Sequence, residues 1–155
     1  MTAKQLSVAA LGCFLAGVVA LAADDPTMGT WKLNEAKSKI GAGAPKNNTV
    51  VYAPAGDSVK VTVEGVDGTG KPAHSEWTGK FDGKDYPVTG DPNADMRSYT
   101  KVNDRTLSFT QKKDGKETTS GKIAIAADGK SRTVTTTVTG ADGKKTNSTA
   151  VYDKQ

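Results

Sequence analysis

Along most of its length the chain alternates apolar and polar side chains with a period of two, as strands do when their faces meet different surroundings. Val59, Val61 and Val63 share one face, while Lys60, Thr62 and Glu64 take the other. Further on, Ser75, Trp77, Gly79 and Phe81 stand opposite His74, Glu76, Thr78 and Lys80. Gly, Asp, Asn and Pro interrupt the alternation where the chain must turn. Five Asp-Gly dipeptides mark many of these corners, starting at residues 67, 82, 114, 128 and 142, with the last three fourteen residues apart. Tight hairpins require positive φ at their central residues, which Gly adopts freely and Asp tolerates.

Cut at these corners, the chain predicts strands over 29–33, 48–53 and 59–64, then 73–81 and a short one over 84–88. Strands over 96–102 and 106–112 form a hairpin around Asn103-Asp104, and 118–126, 132–139 and 145–152 complete a sequential meander. Asn34 is placed to cap one helical turn over 35–39, which the Gly- and Pro-containing run 41–45 ends. About ten strands and almost no helix result. So many sequential antiparallel strands tend to curl, and closure removes their exposed edges. The expected fold is all-β: an up-and-down antiparallel β-barrel of about 8–10 strands, with a β-sandwich as the alternative because turns do not reveal long-range pairing.

The interior positions of such a barrel are unusually polar, with Ser75, Ser98, Thr100 and Thr136 among them. A tightly filled core favours bulky aliphatics. Either the barrel encloses a partly polar cavity, or some strands present the opposite face, since a slip of one residue inverts every side chain.

Ahead of the barrel, Lys4 and the apolar run 6–21 lead to Ala20-Leu21-Ala22 and then Asp24-Asp25. This is the form of a secretory leader, shorter than a membrane anchor, with cleavage expected after Ala22 or Ala23. Residues 1–22 are therefore read as a signal peptide and 23–155 as one barrel domain, periplasmic or extracellular, with no stable membrane insertion. The sole cysteine, Cys13, lies in the leader, so the exported domain relies on burial and β-ladders rather than disulfides. Without Lys4, 20 basic side chains face 17 acidic ones, a net of +3 spread along the strands. No basic stripe with interleaved aromatics is present, which argues against nucleic acid.

Gly29-Thr30-Trp31-Lys32-Leu33, ahead of a meander, resembles the start of the calycins, the lipocalins and intracellular fatty-acid-binding proteins. The stretch 96–119 is similar to the corresponding fatty-acid-binding-protein hairpins with no gap, and 150–154 to that family's terminal strand. The chain also resembles a group of small exported bacterial proteins in which a Gly-Thr-Trp-Lys-Leu-Asn start leads into an Ala-Lys-Ser-Lys segment, here 36–39. The resemblance implies that Trp31 closes the barrel base and that Phe109 and Gln111 point inward. That family holds its ligand carboxylate with two arginines and a tyrosine. Tyr152 matches the tyrosine, Lys122 stands at the first arginine, and Ala150 replaces the second. An inward Lys122 turns Ile123 and Ile125 outward.

The implied function is non-enzymatic binding of a small lipophilic or amphipathic molecule. Trp77, Phe81, Phe109 and Gln111 would lie along the wall, and Lys122 and Tyr152 would hold a polar head group. The aromatics could equally be plain core. The alternative is a filled barrel that docks a protein partner through its outer face or the loops 40–47 and 90–95. His74 is the one histidine and alternates with charged residues, which places it in water without a nucleophile's constellation. The run 91–95 opens like a calcium loop but lacks the later glycine and bidentate glutamate, and reads as a turn. No catalytic motif, metal site or cofactor is expected.

Overall fold

The computed structural model describes residues 25–155; the leader expected over 1–22 lies outside the described residues. Ten strands follow in chain order: β1 (Gly29–Lys39), β2 (Lys46–Ala55), β3 (Ser58–Val66), β4 (Pro72–Gly79), β5 (Tyr86–Thr89), β6 (Met96–Asn103), β7 (Thr106–Lys113), β8 (Lys116–Ile125), β9 (Ser131–Thr139) and β10 (Lys145–Lys154). Each pairs antiparallel with its predecessor, and β1 pairs with β10, so the sheet closes into an up-and-down barrel. A sandwich is excluded. Closure leaves no free edge, which is why Thr- and Val-rich strands of this kind can face water without templating aggregation.

The aspartyl-glycine corners work in two ways. At Asp114-Gly115, between β7 and β8, both central residues have positive φ, 50° and 78°, the mirror-image turn whose twist matches the flanking strands. Only the glycine turns left-handed at Asp128-Gly129 and Asp142-Gly143; there the aspartate carboxylate accepts the amide of Lys130 or Lys144 at 3.0 Å. Asp therefore serves these corners as an acceptor more than as a left-handed residue.

The helical turn expected over 35–39 does not form. The segment stays in β1 as a bulge between the pairs Asn34–Val151 and Lys39–Thr149. Asn34 Oδ1 accepts the Lys37 amide at 3.2 Å, a local cap of the expected kind. Ser38 then returns the chain to the ladder: its hydroxyl donates to the Asn34 carbonyl at 2.7 Å and accepts the Val151 amide at 2.9 Å. Ladder hydrogen bonds to β10 outweigh one helical turn with nothing to pack on. The short strand expected over 84–88 is β5, and Phe81 falls beyond the end of β4.

Two faces are also inverted relative to expectation. In β6, Arg97 and Tyr99 point inward, while Ser98 is half-buried and Thr100 exposed. In β8, Ile123 and Ile125 are buried and Lys122 is exposed on the outer wall. Two isoleucines removed from water contribute several kcal/mol at roughly 25 cal/mol per Å². Turning a lone lysine inward would instead cost its desolvation.

The base of the barrel is sealed by Trp31, which has no exposed surface. Its indole N–H donates to the Thr27 carbonyl at 3.0 Å, and Lys154 lies 5.2 Å from the ring centroid while donating to the Pro26 carbonyl at 3.2 Å. The turn over 25–28 thus plugs one end. In the core, Trp77 packs edge-on to Tyr99 at 4.8 Å and Tyr86 at 5.7 Å, and stacks on Phe81 at 6.3 Å. Its N–H donates to the Arg97 carbonyl at 2.8 Å, so this large ring leaves no polar atom unmet.

Candidate functional site

The lumen is mostly filled, and the space left is small. A cavity of about 60 Å³ is bordered by Val50, Val63, Phe109, Ile123 and Val134 on its apolar side. Arg97, Arg132, Gln111, Tyr52, Tyr99 and Tyr152 supply its polar groups, and Asn47 stands exposed at its rim. Close packing at the wall depends partly on Gly121, opposite Phe109 across the β7–β8 pair: a Cβ there would lie 2.6 Å from the Phe109 ring. The ring occupies the room that the missing side chain leaves.

Arg132 is the unusual member. It starts the inward row of β9 and is only 2% exposed. Its guanidinium lies 4.7 Å from the Trp31 ring centroid, 5.0 Å from that of Tyr52 and 4.9 Å from that of Tyr152. Each such contact stabilises a cation by about 0.5–2 kcal/mol. These contacts do not use the N–H groups, and Nε and Nη1, both buried, have no hydrogen-bond partner among the described residues. Burying an ion costs several kcal/mol unless it is paired and hydrogen-bonded.

Arg97, equally inward, is answered. Its Nη2 lies 3.6 Å from the Asp91 carboxylate. With the Gln111 amide oxygen turned toward Arg97 at 3.2 Å, the amide nitrogen donates to Asp91 at 3.3 Å, so Gln111 links the pair. Asp91 reaches in from the loop between β5 and β6, where Ala94 is buried, and its other oxygen accepts the Asn93 amide at 2.9 Å. The Asp95 carboxylate accepts the amide of Asp114 at 3.0 Å. The run read as a turn is therefore a turn whose carboxylates are engaged in folding it.

Tyr99 and Tyr152 add no charge. Burial pushes Tyr152 up to about 12, against the opposing pull of Arg132. Burial raises Tyr99 still further, with Tyr52 adding to it and Arg97 and Arg132 opposing. Both remain protonated at neutral pH. Tyr152 donates its O–H to the Asn47 carbonyl at 3.0 Å, fixing the ring at the rim.

Of the six residues singled out in the sequence, Phe109, Gln111 and Tyr152 line this cavity. Trp77 and Phe81 lie in the aromatic cluster beside it and fill core rather than border the space. Lys122 is on the outer wall, beside a polar groove with Ser120, Thr135, Thr137, Asn147 and Thr149, and cannot hold a head group in the lumen. Sequence reasoning missed Arg97 and Arg132. The available signal was their shared faces: Arg97 alternates with Tyr99, and Arg132 with Val134 and Val138.

His74 lies on the outside, half exposed, where its Nδ1 contacts Glu64 and its Nε2 is 3.5 Å from Glu76. Glu76 also meets Lys60 at 3.1 Å. This is a surface charge network on β3 and β4 rather than a cleft. Among the described residues no group of three or more His, Cys, Asp or Glu is arranged to hold a metal ion. No helix among them is long and apolar enough to cross a membrane.

No protein-family model matches this sequence, and no curated protein matches it. Among solved structures, EF1p2_mFAP2b bound to DFHBI is similar at 12% identity and a TM-score of 0.49, over 84% of this chain and 94% of that one. A redesigned β-barrel, b11L5F_LGL, is similar at 13% and 0.45, over 84% and 92%. Another, mFAP1 bound to DFHBI, is similar at 17% and 0.44, over 83% and 95%. None of the three lends this chain a ligand.

Proposed function

We propose that this protein is an exported, non-enzymatic binding barrel whose lumen seats a small amphipathic molecule. The observation that carries the reading is the cavity itself, where an apolar wall meets convergent buried polar groups inside a closed sheet. Ligand sites have this composition: apolar burial supplies most of the affinity, and a few polar atoms set orientation. Phe109, Val134 and Ile123 would contact the apolar part, with Gln111 and Tyr152 nearer the rim. At about 60 Å³ the space takes only a few heavy atoms, since a water in the liquid occupies about 30 Å³. A longer ligand would have to extend past Asn47 into solvent. The resemblance to lipophile carriers therefore bears on the barrel more than on ligand size. Removal of the leader would deliver the barrel to the periplasm or beyond the cell.

The small volume also favours a second reading, a filled barrel that acts through its outer face or loops. One experiment separates the two. Protein purified under native conditions from its own host is denatured, and the released small molecules are identified by mass spectrometry; apolar dyes are titrated in parallel. A stoichiometric released molecule, or saturable dye uptake abolished by Val134→Trp, is the expected result. An empty barrel that takes up no dye overturns the binding reading in favour of the docking one.

A further inference from the structure

We infer that the occupant of the lumen is an anion, a carboxylate or other planar oxyanion of a few heavy atoms, seated on the guanidinium edge of Arg132. The inference rests on the lumen being a ligand site, and adds to it a charge, a size and a contact residue.

Three observations converge on it. First, the polar inventory of the cavity is unbalanced: it contains two arginines and no carboxylate among its lining residues. Asp91 reaches Arg97 from the adjoining loop and, with Gln111, meets that charge; among the described residues no carboxylate is placed against Arg132. Nor do Tyr99 and Tyr152 supply one, since burial keeps both protonated.

Second, the guanidinium is enclosed by aromatic rings while two of its nitrogens meet no acceptor among the described residues. Trp31, Tyr52 and Tyr152 surround it at 4.7–5.0 Å, and an aromatic face attracts the cation without accepting its in-plane N–H groups as a carboxylate does. Those two nitrogens, Nε and Nη1, are buried. A planar oxyanion placed side-on meets Nε together with Nη2, the fork geometry of arginine, and neutralises the charge in one step.

Third, the space beside it, about 60 Å³, fits a head group rather than a chain. The charge of this seat comes from Arg132, not from the arginine positions implied by the fatty-acid-binding resemblance, which fall on Lys122, outside the barrel, and on uncharged Ala150; Tyr152 is common to both.

The test compares acids with their neutral isosteres. Acetate and butyrate are titrated against acetamide and butyramide at constant ionic strength, with calorimetry for affinity and the Arg132 Nε–H resonance as the local probe. The acids should bind at least about ten-fold more tightly than the amides and shift that resonance. Arg132→Met should abolish the difference, and Lys122→Ala should leave it intact. Should Arg132→Met fail to fold, Arg132→Lys, which keeps the charge and loses the fork, should weaken acid binding without changing amide binding. Equal affinity of acids and amides overturns the anion while leaving the lumen site standing. Acid binding that survives loss of Arg132, or that leaves its Nε–H unmoved, overturns the assigned contact. If neither acids nor amides bind and no dye is taken up, the site and the anion fall together.

Discussion

Arg97 and Arg132 are comparably buried, at 4% and 2% exposure, yet among the described residues only Arg97 has a carboxylate beside it. The contrast shows how much a single neighbour matters in a low-dielectric interior, where an unmet charge is costly. On the outside the same chemistry matters less, and His74 illustrates it. Hydrogen bonding to Glu64, opposed by a smaller desolvation effect, holds the imidazolium above its ordinary 6.5, with Glu76 adding to the shift. The folded state binds this proton more tightly than the unfolded chain. Its contribution to stability is therefore fully present below about pH 6.5 and is lost as pH rises through the raised folded value. An NMR titration should find the His74 midpoint above 6.5, and Glu64→Gln should bring it back toward 6.5. Because the group is in water, pH should leave the melting temperature nearly unchanged through this window. A large change would mean that another group titrates there.

At the scale of the strand, small residues decide how the sheet curves and what fits inside it. Gly121 lets Phe109 lie across the β7–β8 pair, and an added Cβ would also crowd the Thr135 carbonyl on β9. Gly121→Val should destabilise the protein by about 1–3 kcal/mol, because neither an aromatic ring in a packed wall nor a ladder carbonyl yields easily. Urea denaturation measures this as a lower midpoint at unchanged slope; no change would mean that the ring swings freely into the cavity. Strand positions were largely legible in the sequence, since period-two alternation and turn chemistry are local. Strand faces were less so. Ser98 and Thr100 were expected inside β6, whereas Arg97 and Tyr99 take that face, a placement that goes against the ordinary exposure of arginine. Lys122 was carried inward by its position in a resemblance, although Ile123 and Ile125 beside it argued for the opposite face.

For the whole molecule, the decisive contact is the seam between β1 and β10. Trp31 pairs with Lys154, and Asn34 donates to Asp153 at 2.8 Å across 119 residues of chain. Removing residues 145–155 would take away that seam and leave β1 and β9 as open edges. The truncated chain should lose its cooperative thermal transition and self-associate, as calorimetry and gel filtration would report. A monomer with a sharp transition would mean that the open sheet is stable alone.

The sequence by itself determined the number and order of the strands, their corners and their meander. Each of these depends on residues within a few positions of one another. The family resemblance, rather than any local pattern, brought Phe109, Gln111 and Tyr152 forward as candidates. Closure, the inversion of two faces, the bulge in β1 and the unpaired Arg132 were decided only in three dimensions. Whether a charge is answered depends on residues that folding brings together from β1, β2, β9 and β10. No local pattern records that Trp31, Tyr52 and Tyr152 will enclose one guanidinium and leave two of its nitrogens without an acceptor among the described residues.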